Sequence, residues 1–264
     1  MRMKTKQARA VCIFLFSAII ALLTGTAAAG AGEAEAKGTL FDMAHSEIFS
    51  PVQEGPLHYG SLYEIFKGYG PVGVNDKLIT PKVLEGVRTY VIAGPAVGFT
   101  RDDQIVLQKF VKDGGNLLVL MHIAPPVARL TERFGIIASN FVISEQEGTI
   151  EGRSQDFFVT RFAPHPVTSG LKKVAVYGTW GLLTDVGSGS KTVASTSEKA
   201  WADMNRNRAL DEDEPVLQFG IVAAGEHDRG KVVVVADDAP FANRFIGEAD
   251  NRRLAENIAK WFNE

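Results

Sequence analysis

The segment ADMNRNRALDEDE, residues 202–214, spaces oxygen-bearing side chains as a calcium loop requires. With Asp203 as position one, Asn205 falls at three, Asn207 at five, Ala209 at seven, Asp211 at nine and Glu214 at twelve. In an EF-hand-type loop side-chain oxygens alternate, position seven offers its backbone carbonyl, and the last acid binds through both oxygens. Leu210 at position eight stands where such loops bury one apolar side chain. Position six departs from the pattern: the turn there needs φ > 0 and normally carries Gly, but this chain has Arg208. An Arg adopts that conformation at a cost of about 1 kcal/mol and can turn its guanidinium to solvent, so the site is weakened but not abolished. Pro215 and the strand-like VLQFGIVAA follow at once, leaving no exiting helix. The expectation is a calcium loop set between strands; the alternative is a polar excursion that binds nothing.

A second set of polar residues follows apolar runs. Asp42, His45 and Glu47 come after TLF, His122 after NLLVLM, and Asp237 with Asp238 after VVVVA. Ligands of open parallel sheets sit beyond the carboxyl ends of the strands, so these six residues are expected to border a binding crevice. Each also has an ordinary reading as a cap, a satisfied buried histidine or a solvated acid. Ser46 lies beside His45, but adjacent residues rarely aim at one another, and the chain has no Gly-x-Ser-x-Gly elbow. His165 in HPVTSGL and Asn243 in FANRF read as turn-holding residues, and Trp180 and Trp201 as core indoles.

The elements that must position these residues follow from periodicity. TLFDMAH is expected to begin as a short buried strand, SLYEIFKGYG to form a helix closed by Gly, and PVGVND to form another strand. TYVIAGP, then RDDQIVLQKFVKDGG capped by Thr100, then NLLVLMH read as strand, helix and strand, a right-handed βαβ unit. In that helix Ile105, Val106, Phe110 and Val111 are expected to share the apolar face. From about 136 to 215 short strands separated by Gly, Pro and Ser replace the helical pattern. The C-terminal part returns to α/β, with a hairpin around Asp228 to Gly230 and an amphipathic helix that aligns Leu254, Ile258 and Phe262.

The chain opens with four basic residues, an apolar run of thirteen (11–23) and an Ala-x-Ala pattern at Ala27 and Ala29, the layout of a secretory signal peptide. The run is shorter than the ~20 residues that span a bilayer, so cleavage near Ala29 is expected, with membrane contact only if the segment is retained. Residues 30–37 read as a flexible leader and 38–264 as the folded domain, periplasmic or secreted. Cys12, the sole cysteine, is lost with the signal segment, leaving neither a disulfide nor a thiol nucleophile. Losing four of 28 basic residues against 31 acids moves the formal charge from −3 to −7, which disfavours nucleic acid as a partner.

FDMAHSEIF, ITPKVLEGVRTYVIAGP, FVKDGGNLLVLMH, HPVTSGL and VVVVADDAPFANRF with DNRRLAENIAKWF resemble the DUF4350 proteins, a group within the class I glutamine amidotransferase-like superfamily. The resemblance implies an α/β fold, a three-layer α/β/α sandwich with a mainly parallel flavodoxin-like sheet, here with a small β-rich insertion. It also implies a cysteine on the turn after a central strand in active members. This chain has Met121, His122, Ile123 and Ala124 there, which counts against amidotransferase activity. The expected function is an exported, non-catalytic domain that binds a ligand or an envelope protein, with calcium ordering one loop. The alternatives are an Asp/His-dependent hydrolase of a small molecule or glycan, with or without a metal, and a structural component of envelope assembly.

Overall fold

The runs TYVIA, NLLVL and VVVV are apolar at consecutive positions because their strands are covered on both faces. The computed structural model describes residues 38–264; the expected signal peptide (1–29) and leader (30–37) lie outside the described residues. The N-terminal half contains β1 (Gly38–Asp42), α1 (Gly60–Lys67), β2 (Val72–Asn75), β3 (Val87–Ala93), α2 (Arg101–Lys112), β4 (Asn116–Leu120) and α3 (Pro125–Glu132). Short strands follow: β5 (Ile136–Ser144), β6 (Thr149–Ile150), β7 (Arg153–Val159), β8 (Arg161–Phe162), β9 (Val174–Tyr177), β10 (Trp180–Thr184), β11 (Ser190–Ser195) and β12 (Trp201–Asp203). The chain ends with β13 (Gly220–His227), β14 (Gly230–Val235) and α4 (Asn251–Asn263). Among the described residues no helix is long and apolar enough to cross a membrane.

The expected sandwich with a mainly parallel flavodoxin-like sheet does not form. The main sheet has eleven strands and is mixed, in the order β12-β5-β10-β13-β14-β4-β3-β1-β2, with β11 pairing β13 and β8. Only β2, β1, β3, β4 and β14 run parallel; β13, β10, β5 and β12 continue the sheet antiparallel. The cause is local. His227 pairs with Gly230 across a two-residue turn, with Asp228 at φ 55, and a connection this short can only return the chain antiparallel. From that reversal onwards β10, β5 and β12 add as antiparallel neighbours. The region expected to be a small β-rich insertion therefore supplies one side of the main sheet, and only β6, β7 and β9 form a separate three-stranded sheet.

Strand alternation divides the core in two. Val91, Leu118, Leu120, Val233 and Val235 pack with Leu62 and Phe66 of α1 and Leu254, Ile258 and Phe262 of α4. Tyr90, Ile92, Leu117, Val119 and Val234 pack with Leu107 and Val111 of α2 and Val127 and Leu130 of α3. In α4 the expected alignment is found, and in α2 three of the four expected residues face the core, Val111 buried and Val106 and Phe110 packed against it. Ile105 is 46% exposed, whereas Leu107 and Val111, four apart, enter the core beside buried Asp103 and Gln104. A Thr100–Asp103 capping box starts the helix. Helix α3 was not expected from the sequence; Pro at its first positions and Val127 with Leu130 at helical spacing were the available signals.

Candidate functional site

Asp42 ends β1, and the chain then turns through Ser46, whose φ of 55 is unusual for a residue with a side chain. This turn folds His45 and Glu47 back beside Asp42, and all three are buried. His45 Nδ1 lies 2.6 Å from Asp42 Oδ2, and its Nε2 lies 3.6 Å from Asp103 Oδ2 at the start of α2. Its ring stacks on Phe99 at 3.9 Å. Asp42 Oδ1 accepts the Tyr90 hydroxyl at 2.7 Å, and Glu47 Oε2 accepts the His45 backbone N–H at 3.0 Å. Glu47 Oε1 is buried without a hydrogen-bond partner.

The electrostatics follow from this crowding. Burial, then the Asp42 carboxylate, pushes Glu47 up to about 8. Burial alone would lower the His45 imidazole, but the Asp42 hydrogen bond and the charges of Asp42, Glu47 and Asp103 raise it above its ordinary value. The Tyr90 hydroxyl is raised by burial and by Asp42.

A second polar cluster occupies the ends of β4 and β14. Tyr59 donates its hydroxyl to Asp238 Oδ2 at 2.5 Å, and His122 Nδ1 lies 3.2 Å from Asp238 Oδ1. The Asp238 hydrogen bond raises the His122 imidazole against the opposing effect of burial. Burial and then Asp238 raise Tyr59 well above the usual phenol. The two clusters meet at Gly94, which follows β3. A Cβ there would sit 2.8 Å from Asp238 Oδ2 and 3.2 Å from the Tyr59 hydroxyl, while Gly94 O accepts the Ile48 N–H from the turn that carries Glu47.

All six expected crevice residues thus gather at one sheet edge, in two adjoining clusters. Asp42, His45, Glu47, Asp237 and Asp238 are buried, and His122, with its side chain 38% exposed, is the member open to solvent. With five of the six buried, they do not form the walls of an open crevice. Tyr59, Tyr90, Gly94, Phe99 and Asp103 complete the arrangement and were missed in the sequence. A depression of about 990 Å³ is bordered by Pro51, Glu54, Ser61, Tyr69, Asn243 and Arg252.

Asp237 is fully enclosed. Burial, then the neighbouring Asp238, pushes it up to about 8 from an ordinary 3.8, although the Tyr177 and Ala239 N–H groups donate to it and favour the charged form. Across that interval the folded state holds a proton that the unfolded chain releases. The linked stability is present at low pH and is lost as pH rises towards 8, by at most about 1.4 kcal/mol per pH unit for one proton. Urea midpoints measured from pH 5 to 9 are expected to fall, and Asp237→Asn, which cannot ionise, to flatten part of that decline. An equal slope in the variant would assign the loss to other groups.

The 203–214 loop lies near the opposite side of the main sheet, after β12. Ala202 N–H bonds Pro215 O across its base. Arg208 has φ 64, the turn required at position six, and Arg206 has φ 63. Asp203 is 0% exposed; its Oδ2 accepts Gln155 Nε2 at 2.8 Å and the Arg208 N–H at 3.2 Å, while its Oδ1 is buried with no partner. Asn205 Oδ1 accepts the Asn207 N–H and Asn207 Oδ1 the Ala209 N–H, at 2.9 and 2.7 Å. Buried Glu214 accepts the N–H groups of Met204 and Asp211. Both asparagine amides donate to Asp211 Oδ2 at 2.7 Å, so this oxygen and the two Asn side chains converge.

The remaining polar residues have structural contacts. Asn243 accepts Ser61 N–H and donates to Gly55 O, and His165 Nδ1 accepts Val167 N–H. Trp180 and Trp201 are buried.

Comparison with known proteins adds fold and family. A family described as "Domain of unknown function (DUF4350)" matches residues 59–259. No curated protein matches the chain. Among solved structures, the mmIFT52 N-terminal domain superposes with a TM-score of 0.70 at 18% identity, covering 86% of this chain and 97% of that one. Cytoplasmic Protein STM1381 from Salmonella typhimurium LT2 gives 0.56 at 15% identity, over 86% of this chain and all of that one (100%). A ThuA-like protein from Parabacteroides merdae ATCC 43184 gives 0.50 at 11% identity, over 86% and 89%. At these identities the likeness is one of fold.

Proposed function

The chain belongs to the DUF4350 family, and from its sequence and geometry together we propose that it is an exported, non-catalytic domain that binds a ligand or an envelope protein and carries a calcium-ordered loop. One observation carries the calcium reading. Asp203 Oδ1 is buried, unpartnered, and belongs to the first residue of a twelve-residue ligand pattern whose sixth residue already has positive φ. A buried carboxylate without a compensating cation is costly, and among the described residues no Lys, Arg or His pairs with Asp203. Calcium supplies the missing charge; Asn205, Asn207 and Asp211 would turn side-chain oxygens towards it, Ala209 its carbonyl, and Glu214 its carboxylate.

The binding role is supported by the depression of about 990 Å³, which combines Tyr69 with Glu54, Asn243 and Arg252. The non-catalytic reading is supported by the turn after β4, where Met121, His122 and Ile123 stand in place of a nucleophile. Kinship with the class I glutamine amidotransferase-like superfamily is part of the same proposal and rests on the sequence stretches around β3, β4 and β14. A hydrolase reading has one observation in its favour: His122 is open to solvent and oriented by Asp238. Hydrolysis of an ester or glycoside that disappears in His122→Ala would favour it.

The calcium proposal is tested by an NMR titration of chelator-treated protein. Saturable shifts confined to the 203–214 amides are expected, with a dissociation constant of about 10⁻⁴ to 10⁻³ M and weaker binding of magnesium. Amide spectra that do not change with calcium would reject the proposal.

A further inference from the structure

Asp42, His45 and Glu47 are buried together, and one potential ligand atom from each lies within 4.8 Å of the other two. A set of acids alone would say little. Glu47, however, is only 8% exposed, and its Oε1 meets no hydrogen-bond donor. Buried polar atoms in folded proteins are almost always paired, so an orphaned oxygen set beside a second acid, Asp42, calls for a partner, and a cation satisfies both acids at once.

We propose that Asp42, His45 and Glu47 bind one divalent transition-metal ion. Two carboxylate oxygens and one imidazole nitrogen suit Zn²⁺, Mn²⁺ or Fe²⁺ better than Ca²⁺, which takes six to eight oxygens. The surroundings hold Asp42 and His45 as metal sites hold their ligands. Tyr90 donates to Asp42 Oδ1 at 2.7 Å, Phe99 stacks on the His45 ring at 3.9 Å, and Asp103 Oδ2 stands 3.6 Å from His45 Nε2. With Nδ1 on the metal, Nε2 carries the ring proton and faces Asp103, the carboxylate–histidine–metal arrangement that fixes a ligand's tautomer. The 2.6 Å contact between Asp42 Oδ2 and His45 Nδ1 then opens. The ion takes the place of any proton the ligands hold and binding releases it to solvent, so uptake weakens at low pH. The ion pins the 43–47 turn, including Ser46 at φ 55, onto the end of β1. This site does not depend on the calcium loop: β1 and β12 lie near opposite ends of the sheet order.

The test uses the full chain, stripped with EDTA, dialysed and titrated with Co²⁺ as an optical probe. One equivalent is expected to bind with a visible d–d band, to be displaced by Zn²⁺, and to resist a hundredfold excess of Ca²⁺. Glu47→Gln should abolish the band, Asp103→Asn should weaken binding 10- to 100-fold, and Glu214→Gln should leave it unchanged. X-ray absorption of the wild-type Co²⁺ complex is expected to show a single imidazole in an otherwise oxygen shell, a reading that does not depend on any variant folding. Wild-type protein that takes up neither Co²⁺ nor Zn²⁺ would overturn the proposal, as would a folded Glu47→Gln that binds like wild type, or a shell with two or more imidazoles.

Discussion

Gly94→Ala is expected to destabilise the fold by about 4 kcal/mol, combining ~1–2 kcal/mol for a left-handed alanine with ~2–3 kcal/mol for overpacking. Gly94 has φ +65, and the added methyl would stand 2.8 Å from Asp238 Oδ2, inside van der Waals contact, and 3.2 Å from the Tyr59 hydroxyl. Neither neighbour can retreat without cost. The 2.5 Å Tyr59–Asp238 hydrogen bond is buried, and Asp238 also orients His122. Gly152→Ala provides the control, since Gly152 has a similar φ of +73 but no atom within 4 Å of the new Cβ. It should show only the conformational cost of about 1–2 kcal/mol. Urea unfolding of both variants separates the two effects, and equal losses would mean that the edge relaxes freely around a methyl group.

Saturating calcium is expected to stabilise the protein by about 2.7 kcal/mol when the free ion is at roughly 100 times its dissociation constant and the unfolded chain does not bind it. Glu214→Gln should remove most of this gain, because the amide replaces the carboxylate expected to bind through both oxygens. Arg208→Gly should enlarge it by relieving a non-glycine residue at φ 64 and by removing a nearby positive charge. Thermal melts of the three proteins, each with calcium and with chelator, measure these differences. Identical wild-type melts in the two buffers would show that 203–214 is a polar excursion, and an Arg208→Gly gain no larger than wild type would show that the turn does not limit affinity.

The local features of this protein were readable along the chain. Strands β1, β3, β4 and β14 announce themselves as apolar runs, the start of α2 by the Thr100 cap, and α4 by the spacing of Leu254, Ile258 and Phe262. These signals involve neighbours a few residues apart, which is why a sequence carries them. The positive φ at Arg208 was also legible, because the turn geometry is set by its position in a short ligand pattern. Pairing between neighbours in the chain was legible as well: the βαβ unit placed β3 beside β4 in parallel, and the turn at Asp228 joined β13 and β14 antiparallel. Pairing between distant runs was not, because an apolar run fits a parallel or an antiparallel neighbour equally well, and the mixed sheet was completed by the pairing of β13 with β10 across the intervening chain. The site shows the same division. Asp42, His45, Glu47, His122, Asp237 and Asp238 could be named from their positions after apolar runs, but a carboxylate's surroundings are assembled from distant segments. Only the tertiary structure brought Tyr90 to Asp42, Asp103 to His45 and Tyr59 to Asp238, a pair 179 positions apart. Burial then left Glu47 Oε1 and Asp203 Oδ1 without partners. An unpaired oxygen is a property of packing, since it depends on which donors fail to reach it, and no residue spacing records that failure.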